Sequence, residues 1–138
     1  MQKAELSKVL VWIYADVQTG RQVLLLKVCP ERGSSWQPVT GGVEEGESFE
    51  AAALRESIEE TGLTFTSKPK SLHFEHAFVG RWGAAREHAF ALRADSVGVV
   101  TLDPREHVEY RWALLEEAMK LLPFSHQRES LRLLENIV

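Results

Sequence analysis

Between Gly41 and Leu63 the sequence reads GGVEEGESFEAAALRESIEETGL, and its charged residues recur at fixed intervals: Glu47, then Arg55 with Glu56, then Glu59 with Glu60. Glycines bracket the set, Gly41 and Gly42 before it and Gly62 after it. Carboxylates stacked at helical spacing repel one another, at about a few tenths of a kcal/mol per pair. Hard divalent cations that prefer oxygen ligands, Mg2+ with Mn2+ as a substitute, turn that repulsion into coordination. A protein that holds such ions can grip a phosphate chain. Any one of these glutamates also fits a solvated acidic surface, but the full spacing with its glycine brackets is far harder to match by chance.

The elements that must position these groups are legible nearby. Gly41, Gly42 and Gly46 suit a tight loop before Ser48. Ser48 is a candidate N-cap, Ala51 to Glu56 favour a helix, and Gly62 sits where a left-handed C-cap is usual. On that helix Glu56, Glu59 and Glu60 fall within an arc of roughly 100°. Ala51, Leu54 and Ile58 are expected on the opposite side, anchoring it to a core. Glu47 can fold back toward the acidic face, and Arg55 can orient a carboxylate through paired hydrogen bonds.

This segment resembles the signature of the Nudix hydrolases, G-x5-E-x7-R-E-U-x-E-E-x-G-U, where U is a bulky aliphatic residue. Gly41, Glu47, Arg55, Glu56, Glu59, Glu60, Gly62 and Leu63 match it across 23 residues. Ser57 departs, standing where an aliphatic side chain is expected to pack the helix; Ile58 and Leu54 are candidates to compensate. The resemblance implies an α/β fold, the α/β/α sandwich with a mixed sheet of Nudix domains, covering residues 1–138 as a single domain.

The order of elements suits that fold. Val9–Val17 and Gln22–Val28 read as strands with a hairpin turn at Gln18–Arg21, followed by a loop at CPERGSS and a short strand in WQPVT. Beyond the helix, Ser71–Val79 and His88–Ala94 read as strands around a loop at Gly80–Ala85. HVEYRWAL leads into a short helix, LLEEAMKLL, and Ser125–Val138 has the leucine spacing of a final amphipathic helix.

Flanking residues narrow the resemblance. SWQPVTGGVEEGE, REHAFAL and the ending HVEYRWALLEEAMKLL resemble dihydroneopterin triphosphate pyrophosphatases and related dNTP pyrophosphohydrolases. The proline of ADP-ribose members and the tyrosine of dinucleoside polyphosphate members are both missing from the region of Phe78 and Val79. The implied reaction is Mg2+-dependent hydrolysis of a nucleotide or pterin triphosphate, such as dihydroneopterin triphosphate or dATP, to a monophosphate and pyrophosphate. Glu56, Glu59 and Glu60 would hold the metal, with the Gly41 carbonyl and Glu87 as further ligands. Glu56, Glu59 and Glu87 are rival general bases. Trp36 can stack on a base or fill a core, and Gln37 can bond a ring edge or a neighbouring strand. Lys27, Arg32, Arg81 and Arg86 are phosphate contacts or solvated charge. His73, His76 and His88 read as strand-face residues, since their spacing is not that of a metal site. Other Nudix chemistries, on dinucleoside polyphosphates, oxidised nucleotides or RNA 5′ ends, share the same helix. A non-catalytic nucleotide sensor is a further alternative, which the intact glutamate set argues against.

Composition bounds the remaining possibilities. A chain of 138 residues, 44% hydrophobic, can bury a core unaided. The lone cysteine, Cys29, forms no internal disulfide and suits a reducing, cytoplasmic compartment. The N-terminus MQKAELSK does not resemble a signal peptide, and no apolar run is long enough to span a membrane. A net charge of −4 argues against broad nucleic-acid binding. A monomer and a homodimer are both compatible with these properties.

Overall fold

The computed structural model describes residues 5–137. Its elements run β1 (Leu6–Val17), β2 (Gly20–Val28), β3 (Trp36–Gln37), β4 (Val39–Gly42), α1 (Phe49–Thr61), β5 (Lys70–Gly80), β6 (Gly83–Arg93), β7 (His107–Leu114), α2 (Leu115–Leu121) and α3 (Ser125–Arg132). Short 3-10 turns at Pro30–Arg32 and Leu133–Asn136 complete the chain.

β1 is the axis of the sheet because both of its faces are apolar. Val9, Val11, Ile13 and Ala15 point into one core with Ala52 and Ala53 of α1. Leu10, Trp12 and Tyr14, alternating with them, enter a second core with Ala118, Leu122, Leu131 and Leu134. A period of two with both faces buried is what a central strand covered by helices requires. The result is the expected α/β/α sandwich. Trp12 Nε1 donates to Ser130 Oγ at 2.9 Å inside the second core, tying α3 to the sheet.

The sheet is mixed. β1 runs parallel to β6 from Leu6↔Ala85 to Tyr14↔Arg93, and β5 pairs antiparallel with β6. On its other edge β1 pairs with β2 only over Tyr14–Val17, and Lys8–Val11 pair instead with β4. β2 gives Leu26 and Lys27 to β3, and its outer edge to β7. The hairpin strands therefore part company, and β3 and β4 occupy the fork on either side of Pro38. Proline has no N–H for a ladder, so the break falls there.

Several sequence expectations change in detail. The segment Gly80–Ala85 is not an open loop: Gly80 pairs with Gly83, and only Arg81 and Trp82 turn. WQPVT holds parts of two strands. The final helix stops at Arg132 and tightens into a 3-10 turn; Val138 lies outside the described residues. The buried face of α1 is Ala52, Ala53, Ser57 and Thr61, whereas Ala51 is exposed and Ile58 is 45% exposed. Ser57 is itself the core residue and needs no compensation from Ile58: its hydroxyl donates to Ala53 O at 2.7 Å. Among the described residues no helix is long and apolar enough to cross a membrane.

Candidate active site

Helix α1 is fixed at both ends. Ser48 Oγ accepts from the Ala51 N–H at 3.0 Å, and Gly62, at φ 69°, donates to Ile58 O at 2.9 Å. The N-terminal end faces the loop that carries Gly42 to Glu47, and one side chain joins the two. Arg55 donates from Nε and Nη2 to the two oxygens of Glu47, both at 2.8 Å, and from Nη2 to Gly42 O at 2.9 Å. Its Nη1 reaches Glu56 Oε1 at 2.7 Å and Glu59 Oε2 at 3.3 Å. Paired bonds of this kind are what a planar guanidinium provides and an ammonium does not. The Arg55 bonds, with a further one from the Glu44 N–H, hold the Glu47 carboxyl down at about 2.

The acidic face opens into a cleft of about 600 Å3, lined by Lys8, Arg32, Gln37, Gly41, Gly42, Glu56, Glu60 and His107 among others. A smaller hollow of about 280 Å3 adjoins it, lined by Glu56, Glu59, Glu60, Asp103, Glu106 and His107. Burial raises Glu56 despite its bond from Arg55. Burial, followed by the charges of Glu56, Glu106 and Glu59, pushes Glu60 up to about 8, against a smaller opposing pull from Lys8.

The residues present fit a divalent cation. Glu60 Oε2 is buried with no hydrogen-bond partner, a costly state for a carboxylate oxygen. A Cβ on Gly41 would collide with the Glu56 carboxyl, so the glycine is a cradle for that group. The donors are hard oxygens, as Mg2+ and Mn2+ prefer. Among the described residues no three acidic, imidazole or thiol side chains already stand together as a ready cage. Arg55 takes up oxygens of Glu56 and Glu59 in this arrangement.

Of the residues expected at the site, Gly41, Gly42, Gln37, Arg32, Glu56, Glu59 and Glu60 are brought together, with Glu47 and Arg55 behind them. Glu87 is not among them: it sits opposite Lys8 in the β1–β6 register and lines a neighbouring cavity, where burial pushes it up to about 7. Trp36 lies outside the cleft lining and packs against the second core, with Lys27 Nζ 5.7 Å from its ring. Lys27 itself turns to Glu109 at 3.8 Å. Arg81 lies over Trp82 on the β5–β6 turn, and Arg86 pairs with Glu5 and Glu75. His88 bonds Glu75 at 3.0 Å, a strand-face role, and Cys29 is buried at the end of β2.

The sequence reading did not single out Lys8, Glu106, His107 or Phe124, all of which line the cleft. His107 reaches it because it pairs with Val28, and its Nε2 stands 3.0 Å from Gln37 Nε2. A carboxylate directly before a late strand, as in PREHVEY, is the one local signal for Glu106.

An acidic helix face held by a loop-bound arginine on an α/β/α sandwich is an arrangement suited to holding a divalent cation against a phosphate chain. The NUDIX domain profile matches residues 6–135, and the chain belongs to that family, the Nudix hydrolases. It is 38% identical over 117 residues to an octanoyltransferase of Myxococcus xanthus, covering 80% of this chain but 31% of that protein. It is 32% identical to the RNA pyrophosphohydrolase of Caulobacter vibrioides, over 65% of this chain and 62% of that one. The chain thus spans under two thirds of these relatives. The dihydroneopterin triphosphate diphosphatase of Haemophilus influenzae is 24% identical over 96% of this chain and 89% of its own. Among solved structures, the E. coli dihydroneopterin triphosphate pyrophosphohydrolase superposes with a TM-score of 0.74 at 26% identity, covering 94% of this chain and 96% of the other. A C. elegans Ap4A hydrolase gives 0.79 at 23% identity, over 94% and 95%, a likeness of fold.

Proposed function

We propose that the protein is a Mg2+-dependent pyrophosphohydrolase that cleaves a nucleoside triphosphate-like compound, dihydroneopterin triphosphate or a dNTP such as dATP, to a monophosphate and pyrophosphate. The observation that carries this reading is the orphaned Glu60 oxygen beside Glu56, Glu59 and Glu106, facing a cleft that also holds Lys8 and Arg32. Glu56, Glu59 and Glu60 would hold the cation, with Glu106 and the Gly41 carbonyl, whose residues line the same cleft, as further oxygen donors. A bound divalent ion supplies neutralisation of phosphate charge and a more acidic water.

The chain's own residues do the rest. Lys8 and Arg32 meet the phosphates, which the net charge of −4 would otherwise repel. Arg55 holds Glu56 in place and Glu47 anchors Arg55, so the acidic face stays aligned. Glu59, whose side chain is 57% exposed, can take a proton from the attacking water and pass it to solvent. The water oxygen bonds to phosphorus as the bridging P–O bond breaks, and pyrophosphate leaves with that oxygen. Glu87 has no part in this step, because it lies in the adjoining cavity.

The test is a panel of dNTPs, dihydroneopterin triphosphate, dinucleoside polyphosphates, 5′-triphosphorylated RNA and ADP-ribose, assayed with Mg2+. Pyrophosphate release from a dNTP or dihydroneopterin triphosphate, abolished by chelation, is the expected result. Turnover confined to RNA ends or dinucleoside polyphosphates would replace this substrate assignment, and binding without turnover would make the protein a sensor.

A further inference from the structure

Beside the acidic cleft lies a cavity of about 620 Å3 that the hydrolytic step leaves unused. A row of near-parallel rings runs along it from β5 to α3. Phe78 lies 5.5 Å from His76, His76 stacks on His126 at 3.9 Å with planes 2° apart, and His126 lies 6.0 Å from Phe124. Phe124, at the end of the row, is 55% exposed and lines both this cavity and the acidic cleft. An apolar ring left open at such a junction is a surface on which another flat ring can stack.

Among the described residues, the one acidic side chain lining the cavity is Glu87, only 6% exposed. Among the described residues no hydrogen bond reaches its carboxyl: His126 Nε2 stands 3.8 Å away, and Lys8 acts on it through space. The Glu87 oxygens face the cavity rather than a partner in the protein, so a ligand that brought donors would find acceptors free to take them. Lys8, Gln37 and Thr40 line both cavities, so a ring in one can carry a phosphate chain into the other.

We propose that this cavity is the ring subsite of the substrate, selecting a planar heteroaromatic ring with two adjacent N–H donors, stacked on Phe124 and read at its edge by Glu87. The 2-amino-4-oxo edge shared by guanine and the pterins carries that donor pair. Adenine sets a donor beside an acceptor. Once pH exceeds about 7 and the carboxyl is ionised, that edge leaves one carboxylate oxygen facing a lone pair, so the comparison belongs on the alkaline side of that value. The inference rests on the pyrophosphohydrolase reading and narrows it, placing dATP below dGTP and dihydroneopterin triphosphate.

The experiment compares kcat/KM for dGTP, dihydroneopterin triphosphate and dATP in the parent protein, Glu87→Gln and Phe124→Ala. The parent is expected to prefer the two 2-amino-4-oxo substrates by about tenfold or more, since a site built to bond a substrate N–H rejects an analogue lacking it. Glu87→Gln sets an amide N–H against the ring donors and should collapse or reverse that ratio. Phe124→Ala should raise KM for all three by similar factors. A parent with no ring preference, or a Glu87→Gln protein that keeps the ratio or loses the same factor on every ring, overturns the inference. Calorimetric binding of guanosine, a pterin and adenosine to the metal-free protein separates the two readings, because no hydrolysis is involved. Glu87-dependent preference for guanosine and pterin without any turnover would keep the ring subsite and sink the enzymatic reading. Turnover without ring preference would do the reverse.

Discussion

Glu60 is the residue on which the proposed chemistry leans most, because one of its oxygens is buried and unpaired. Glu60→Gln keeps the shape and removes the charge, and turnover should fall by about a hundredfold or more, measured as pyrophosphate release at saturating Mg2+. The same residue makes a pH prediction for chelator-treated protein. Its folded pKa, about 8, is raised above the value of 4.5 for an unperturbed glutamate. The folded state therefore holds a proton that the unfolded state releases. Glu60's contribution is fully present below about 4.5 and is lost as pH rises toward about 8. Melting temperature should drop over that window by on the order of a few degrees. Glu60→Gln should make the drop shallower, leaving the share of Glu87, which burial pushes up to about 7. An equally steep drop in the variant would exclude Glu60 as its source. At this scale Glu56, Glu59, Glu60 and Arg55 were legible because helix geometry sets their spacing, and Glu47 because it stands in the loop just before the N-cap. Glu106 and Lys8 were not, because only strand pairing brings them to the cleft. Trp36 carried two readings, a stacking platform or a core residue, and only the packing of its short strand against the second core separates them.

The helix and the loop before it form the working element, and their contact is close. Gly41→Ala would set a Cβ against the Glu56 carboxyl, displacing it. Turnover should fall by roughly a hundredfold, the scale of a small misplacement of a reacting group, while the circular dichroism spectrum is retained. Ser57 tests the other side of the helix. Ser57→Ala removes a hydroxyl that bonds only within the helix and should shift stability by under about 0.5 kcal/mol. Ser57→Leu restores the aliphatic residue of the family signature but overfills a position with no exposure, costing about 1–3 kcal/mol in denaturant unfolding. The ends of α1 were readable from Ser48 and Gly62. Its buried face was not, because apolar residues are spread around the helix and the sheet selects the small ones. Ala52 and Ala53 lie flat on the sheet, Leu54 packs at the margin of the same core as expected, and Ile58 turns outward.

For the molecule as a whole, the layers on either side of the sheet are bonded to it, not merely stacked. Ser130→Ala would orphan the indole N–H of Trp12 in the second core and should cost about 1–3 kcal/mol, read from the unfolding midpoint. A loss confined to catalysis, with no change in midpoint, would contradict the role given to this bond. The strand and helix order were legible from periodicity, which is local. The fork of β1 and β2, which opens the cleft, was not, since it depends on which strand captures each free edge. Parallel pairing of β1 with β6 also matters while the chain is being made. VLVWIY leaves the ribosome about eighty residues before the strand that will shield its far edge, and late-arriving partners of this kind slow folding and invite off-pathway association. A nascent chain stalled before Ala85 should therefore bind a holdase chaperone through that stretch, and release it once Arg93 has emerged.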